Sequence, residues 1–590
     1  MGRGEAEVQA LGPSRRTFIT HLLVVIAISW VVYLNALDND FTNWDDPETV
    51  VHNPAIRGLD AAHVGQILIP DETGASGIRG VYRPVWTLSY ALDYSLGGLN
   101  PAVYHAHSVL LHSLNSGLVY ILALAVGLAS LPALLAALLF AVHPIHVEAV
   151  TWTSGRNEVL LTLFFLIAVL LATFRARLSN GFRPWAYVLS LIALVLALLS
   201  KITAAVFPFL VLGAYAWFVD HNRERSSCSR ACVLRHVPYL ALSAGLVWIE
   251  LLVSRAGVVV RPETAEGRVI TLLTVPKVVL TYLGSLAAPI GLAPRYDTSY
   301  VTGFSAEAAL TFLGLAVVLL AAVWTGKRSR TFGFTAWWFA LTLLPASNIV
   351  LLSSLRADRF LYLPSVGFCL AAGILLQHTW GPKPSGRAAG RIVSIILCGL
   401  LVLYSVVTLR QNQVWQDSLA LWEETVRRSP GDYMAHHNLG AAYLEAGRTE
   451  PAIASIEQAV GLAPNFAKAH NNLGRVYGAT GRMDEAEEHL RRAIDLDPDY
   501  AGAYANLGVL YAQMERYPEA MRSLKYALRL DPTRAERHLN LAQVYVQTGR
   551  FDDARREIQA ALSAGLAPQW QALAENLLQS LSEHPQRVTE

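Results

Sequence analysis

Two adjacent carboxylates, Asp45 and Asp46, stand in the run Asn43-Trp44-Asp45-Asp46-Pro47, just past a long apolar stretch. In a cavity at a membrane boundary, one carboxylate can take the proton of an acceptor hydroxyl as a general base, while the other orients the acceptor or binds a cation. An Asp-Asp-Pro turn in a solvated loop would carry the same residues. Cations recur near the ends of other apolar stretches. Lys201 interrupts two of them, and Arg356, Asp358 and Arg359 precede Phe360-Leu361-Tyr362-Leu363-Pro364-Ser365. An ionised side chain at bilayer depth costs about 2.5–3.5 kcal/mol, so it is tolerated when paired or bound to an anion. Arginine meets a phosphate with two parallel hydrogen bonds. Lys201, Arg356 and Arg359 are thus candidates for holding a phosphate; an Arg–Asp pair that only locks helices accounts for the same residues.

Histidines add a second set. His105 and His112 share one helix face, where they can hydrogen-bond or bind metal. His143-Pro144-Ile145-His146-Val147-Glu148, followed by Gly155-Arg156, is dense in polar groups for a membrane boundary and reads as a cavity wall. His-Glu-x-x-His is absent, which excludes that zinc-protease signature. The four cysteines include Cys228 and Cys232 in a basic loop, and none has disulfide-framework or zinc spacing.

Positioning these groups falls to membrane helices. Of 590 residues, 53% are hydrophobic and 16% charged, against about a quarter charged in soluble domains, so much of the chain must face lipid. Mean hydropathy is +0.36. Spans are expected near 17–36, 103–127, 129–142, 157–174, 185–200, 202–219, 237–253, 307–325, 332–352, 360–379 and 392–409. Arg15 and Arg16 precede the first, which lacks a small-residue cleavage site and reads as an uncleaved helix. The basic clusters at 175–183, 223–235, 327–330 and 383–391 fall on one side if 270–290 does not cross. About eleven helices then span, with the N-terminus cytoplasmic and the C-terminal repeats on the far side. The loop from about 35 to 100, rich in Asp and Glu, becomes an outer loop.

A different physics begins near residue 411. Asn438-Leu439-Gly440, Asn472-Leu473-Gly474, Asn506-Leu507-Gly508 and Asn540-Leu541-Ala542 recur every 34 residues, the tetratricopeptide period. Repeats near 432–464, 466–498, 500–532 and 534–566 each predict two helices. The glycines allow close helix approach, and Pro464, Pro498 and Pro532 end each second helix. The expected organisation is all-α: a membrane domain over 1–410 and an α-solenoid over 411–590. Such a solenoid offers a groove for an extended peptide or serves as scaffolding.

Taken in order, Asp45-Asp46, Tyr82-Arg83-Pro84, Gly97-Gly98-Leu99-Asn100-Pro101, Tyr104-His105, Leu111-His112, His143-Pro144-Ile145-His146-Val147-Glu148, Ser200-Lys201 and Arg359-Phe360-Leu361-Tyr362-Leu363-Pro364 resemble the transmembrane and tetratricopeptide repeat-containing proteins, a family of protein O-mannosyltransferases. The resemblance covers nearly the whole chain. It implies the GT-C fold and transfer of a mannose-like hexose from a polyprenyl-phosphate carrier to Ser or Thr of exported proteins. The acceptor polypeptide would be recruited by the solenoid. Asp45 and Asp46 would be catalytic, either one the base. Arg359, Lys201, Arg156 and Arg83 would meet the phosphate, with His143, His146, Glu148, Arg356 and Tyr362 lining the substrate pocket. Such a reaction needs no metal or other cofactor beyond the lipid-linked sugar, because no pyrophosphate has to be neutralised. The Arg- and Ala-rich composition suggests a bacterial plasma-membrane protein. A non-enzymatic membrane scaffold is the competing expectation, and a lipid-linked-sugar transporter a third. Polar groups gathered at helix ends, rather than through the full membrane depth, disfavour transport.

Overall fold

The computed structural model describes residues 13–69, 81–174, 181–218, 230–253, 265–296, 299–347, 349, 354–379, 384–532, 534–564 and 568–583. Asp71, Glu72, Cys228 and most of the basic clusters at 175–183 and 223–235 lie outside them. The described residues form helices and no strands. The chain divides into two compact units, Met1–Arg428 and Ser429–Glu590.

In the first unit the apolar runs fold as helices, some of them capped by a side chain. Ser14 accepts from Thr17 N–H at the start of Arg15–Tyr33, and Asn100 accepts from Ala102 N–H ahead of Pro101–Ala125. Among the described residues, eight helices are long and apolar enough to cross a membrane, or nine if the bent pair Ser130–Val142 and Pro144–Thr151 is one span. This differs from the expected eleven for two reasons. Three expected spans are short: Phe207–Phe218 has 12 residues, Arg330–Leu343 has 14 and Ser365–Thr379 has 15. At 1.5 Å per residue they fall short of a hydrocarbon core of about 30 Å. Extended backbone at Lys201 and the prolines Pro345 and Pro364 mark their breaks. Conversely, the stretch near 270–290, expected not to cross, is the helix Gly267–Ala287, as long and apolar as the others.

Breaks matter more than spans for the site. After the first helix the chain makes a 3-10 turn, Leu34–Asp38, and then the loop holding Asp45 and Asp46, which runs into a turn of π-helix, Pro47–Val51. Thr153–Gly155 is another 3-10 turn, directly before the helix Arg156–Phe174. Asp358–Leu361 is a third.

In the second unit the 34-residue register appears as helix pairs: Tyr433–Glu445 with Thr449–Leu462, Ala467–Ala479 with Met483–Leu496, Ala501–Gln513 with Tyr517–Leu530, and Ala535–Gln547 with Phe551–Ala564. Pro568–Glu583 packs Ala574 and Leu581 onto the end of their core. A Cβ at Gly474 or Gly508 would come within 2.6 Å of Leu490 or Leu524, and one at Gly440 would overlap Ile456. Glycine is therefore required at these three contacts, while the fourth repeat accommodates Ala542. An unanticipated periodic feature is a guanidinium over each repeat tyrosine: Arg448 over Tyr443, Arg482 over Tyr477, Arg516 over Tyr511 and Arg550 over Tyr545, at 3.9–4.6 Å from the ring centroids.

Candidate active site

The two acids separate cleanly. Asp46 is buried and accepts four hydrogen bonds: Thr42 N–H at 2.9 Å and Thr42 Oγ1–H at 3.0 Å on one oxygen, Ser154 N–H at 3.0 Å and Ser154 Oγ–H at 2.5 Å on the other. Burial raises its pKa to about 6, against the pull of these donors. Asp46 thus ties the first loop to the turn Thr153–Gly155. Asp45, one residue earlier, is partly exposed and its carboxylate accepts no hydrogen bond among the described residues. Desolvation raises its pKa, opposed by the charges of Arg359 and Arg83 and aided by Glu48.

Three cations share this location, drawn from three distant parts of the chain. Arg359 donates its backbone N–H to Glu148 at 2.8 Å and its guanidinium to the same carboxylate. Burial opposes the Arg359 charge, but Glu148 outweighs it and leaves the pKa raised. Lys201 pairs with Glu158. Arg83 rests over the Trp86 ring at 5.6 Å and makes no ion pair among the described residues. Burial lowers its pKa, with Glu250 and Glu158 opposing. Arg359 and Asp45 both act on Arg83, and Arg359 and Arg83 both act on Lys201.

Aromatic rings space these charges. Trp44 stacks on Trp152 at 5.0 Å, Arg359 lies over Trp152 at 5.3 Å and over Phe360 at 5.1 Å, and Lys201 lies over Phe360 at 5.1 Å. Beside Lys201 is a cavity with apolar walls from Leu161, Pro345, Leu363 and Pro364 and polar members Glu158, Thr203 and Thr342. Such an arrangement joins an unbonded carboxylate to a cationic patch and an apolar slot.

Other expected site residues are struts. Arg156 is fully buried, pairs with Asp93 at 2.5 Å, and donates to Ser108 Oγ, Ser89 Oγ and Tyr104 O, so four of its five N–H groups are engaged inside the protein. His143 and His146 are enclosed: His143 bonds Leu286 O and Ile145 N–H, and His146 bonds Phe140 O and Ser365 Oγ. Tyr362, also buried, is hydrogen-bonded to His112 Nδ1 at 2.7 Å and Asn115 Nδ2 at 3.2 Å. His112 also bonds Ala141 O through Nε2 at 3.0 Å. Arg356 lies over Tyr296 at 3.6 Å, donates to Ser285 Oγ at 2.9 Å and sits 4.0 Å from Asp358, which is the helix-locking role. Glu148 serves Arg359. Among the described residues, no group of three His, Cys, Asp or Glu is placed to hold a metal ion.

Sequence reasoning missed Glu158 and the tryptophans. Glu158 is a carboxylate in the first turn of an apolar helix, the same signal that singled out Lys201. Trp44 and Trp152 flank the acids and Gly155-Arg156 in sequence but carry no motif.

Comparison with known proteins matches tetratricopeptide repeat families to residues 407–467, 465–533 and 511–577. Along the wider chain, similarity extends to "Protein O-mannosyl-transferase Tmtc1" of Drosophila melanogaster, 28% identical, covering 72% of this chain and 59% of that protein. "Protein O-mannosyl-transferase TMTC4" of Homo sapiens is 26% identical, covering 73% of this chain and 65% of that one. The chain thus spans about six-tenths of the length of such relatives. A solved thermophilic TPR protein of Thermus thermophilus is 24% identical, covering 30% of this chain and 94% of that one, with a TM-score of 0.26.

Proposed function

We infer that this chain, which belongs with the transmembrane and tetratricopeptide repeat-containing proteins, is a membrane glycosyltransferase that moves a hexose from a polyprenyl-phosphate carrier to a Ser or Thr hydroxyl of an exported polypeptide. One observation carries the reading: the unbonded Asp45 carboxylate shares its surroundings with Arg83 and Arg359, and through them with Lys201. A scaffold has no use for such a grouping.

In the reaction, Asp45 accepts the hydroxyl proton as the acceptor oxygen attacks the anomeric carbon. The bond from that carbon to the phosphate oxygen breaks, the configuration inverts, and polyprenyl phosphate leaves. Arg83, Lys201 and Arg359 stabilise the charge that grows on the phosphate, where prearranged cations in a poorly hydrated site act most strongly. The burial that raises the Asp45 pKa suits a general base, whose strength grows as its pKa approaches working pH. Apolar walls beside Lys201 suit the isoprene units next to the phosphate. Cations suffice for a single phosphate, so the lipid-linked sugar is the one co-substrate. The solenoid holds the acceptor chain. We place the site and the repeats on the non-cytoplasmic side of the membrane, a bacterial plasma membrane by the Arg- and Ala-rich composition.

The test is exported-protein mass spectrometry with and without the intact gene. Loss of a hexose from Ser or Thr supports the reading; an unchanged glycan profile overturns it.

A further inference from the structure

Among the described residues no hydrogen bond fixes the Asp45 carboxylate, so something else must set its place. Its backbone carbonyl is held from one side by Thr49, whose N–H donates at 3.0 Å and whose Oγ1–H donates at 2.8 Å. From the other side come residues nearly four hundred positions away, in the final stretch of the first unit. Asp40 N–H donates to Gln416 O at 2.8 Å, Asn43 N–H donates to Ser418 Oγ at 2.9 Å, and Trp422 Nε1–H donates to Asn43 Oδ1 at 2.6 Å. The Trp44 ring is stacked parallel to Trp415 at 6.2 Å and tilted against Trp422 at 5.3 Å. Trp415 and Trp422 are buried.

This stretch lies within the sequence matched as tetratricopeptide repeat, residues 407–467, yet it packs with the first unit, which extends to Arg428. A helix with the pattern of a repeat is thus spent on the loop that carries the acid. We propose that Ser418 and Trp422 are positioning residues for Asp45: they fix the backbone at Asn43 and Trp44 and thereby aim the next carboxylate. This rests on Asp45 being the base. A misplacement of about 1 Å at a reacting group can lower the rate of chemistry 100-fold without loosening substrate binding.

Trp422→Phe keeps an aromatic ring but removes the indole N–H and part of the buried ring volume, and Ser418→Ala removes the hydroxyl acceptor. Both are to be made in the full chain, singly and together, with Ser418→Thr as the rescue. Amide hydrogen exchange over residues 41–46 and transfer kinetics with a polyprenyl-phosphate hexose and a Ser/Thr peptide are then measured. The expected result is exchange at 41–46 faster by about 10-fold with the rest of the first unit unchanged. With it, kcat falls about 10- to 100-fold, while KM for donor and peptide moves less than about 2-fold. Ser418→Thr restores both. Unchanged exchange at 41–46 overturns the proposal, as does a kcat loss that merely follows a loss of melting temperature. If the unaltered protein transfers no sugar, the glycosyltransferase reading fails, while the exchange result still decides whether these residues hold the loop.

Discussion

Asp45→Asn and Asp46→Asn should fail in opposite ways. Asp45 accepts no hydrogen bond among the described residues, so an isosteric amide breaks no hydrogen bond and removes only the attraction to Arg359 and Arg83, and stability should change by no more than about 1 kcal/mol. It cannot take a proton. Loss of a general base lowers the rate about 10²- to 10⁴-fold, or about 2.7–5.4 kcal/mol of barrier. Asp46 is the reverse. Its four donors come two to each oxygen, and an amide replaces one oxygen with a group that donates. If the amide nitrogen faces Thr42, the Thr42 hydroxyl can rotate but its backbone N–H cannot, and a buried donor without an acceptor costs about 1–3 kcal/mol. Asp46→Asn should therefore lower the melting temperature of the detergent-solubilised protein and reduce activity in proportion to protein left folded. The assay is transfer of labelled hexose from a polyprenyl-phosphate donor to a Ser/Thr peptide, with a thermal melt on the same preparation. The reasoning is refuted if Asp45→Asn keeps more than about a tenth of the activity, or if Asp46→Asn melts normally and is inert.

Transfer should lose activity as pH falls through a midpoint above the ordinary aspartate value, because the base works only when ionised and burial raises the Asp45 pKa. The exposed Glu48 contributes to that rise, so Glu48→Gln should move the acid limb of the kcat/KM profile downward; an unmoved limb would mean another group titrates. Arg156→Met leaves buried Asp93 with His107 as its remaining partner, which should destabilise the first unit by up to about 3–5 kcal/mol; a folded variant with a selective rise in donor KM would return Arg156 to the phosphate. The turn inside each repeat carries Gly447, Gly481 and Gly549 at φ of 72°, 82° and 72°, but Glu515 at 58° in the third. Glu515→Gly should stabilise the solenoid by up to about 1 kcal/mol in a urea melt; a lower midpoint would contradict it.

The solenoid was legible because its information is local and repeated: Gly474 and Gly508 meet Leu490 and Leu524 within one repeat. The apolar spans were legible from length, less so where breaks at Lys201, Pro345 and Pro364 shorten helices that composition alone would extend. The site was legible only in part. Sequence marks which polar residues sit at membrane boundaries, but not whether each already has a partner. Arg156, His146 and Tyr362 look as functional as Arg359 until Asp93, Ser365 and His112 are seen to use them up. Adjacent acids likewise look equivalent until Thr42 and Ser154 claim one of them. The tryptophans were invisible because the stack joins Trp44 to Trp415 and Trp422 across most of the chain, and no local pattern records a contact of that range.

The proposed reaction is transfer of sugar from a lipid phosphate by a carboxylate beside a cationic patch. It is tested most directly with the purified full chain in lipid discs, given a polyprenyl-phosphate hexose and an unfolded Ser/Thr peptide, by the intact mass of the peptide. The expected outcome is a peptide heavier by one hexose and released polyprenyl phosphate in equal amount, with the product anomer inverted. A peptide of unchanged mass, bound by the protein but never modified, would contradict it and leave a membrane-anchored adaptor.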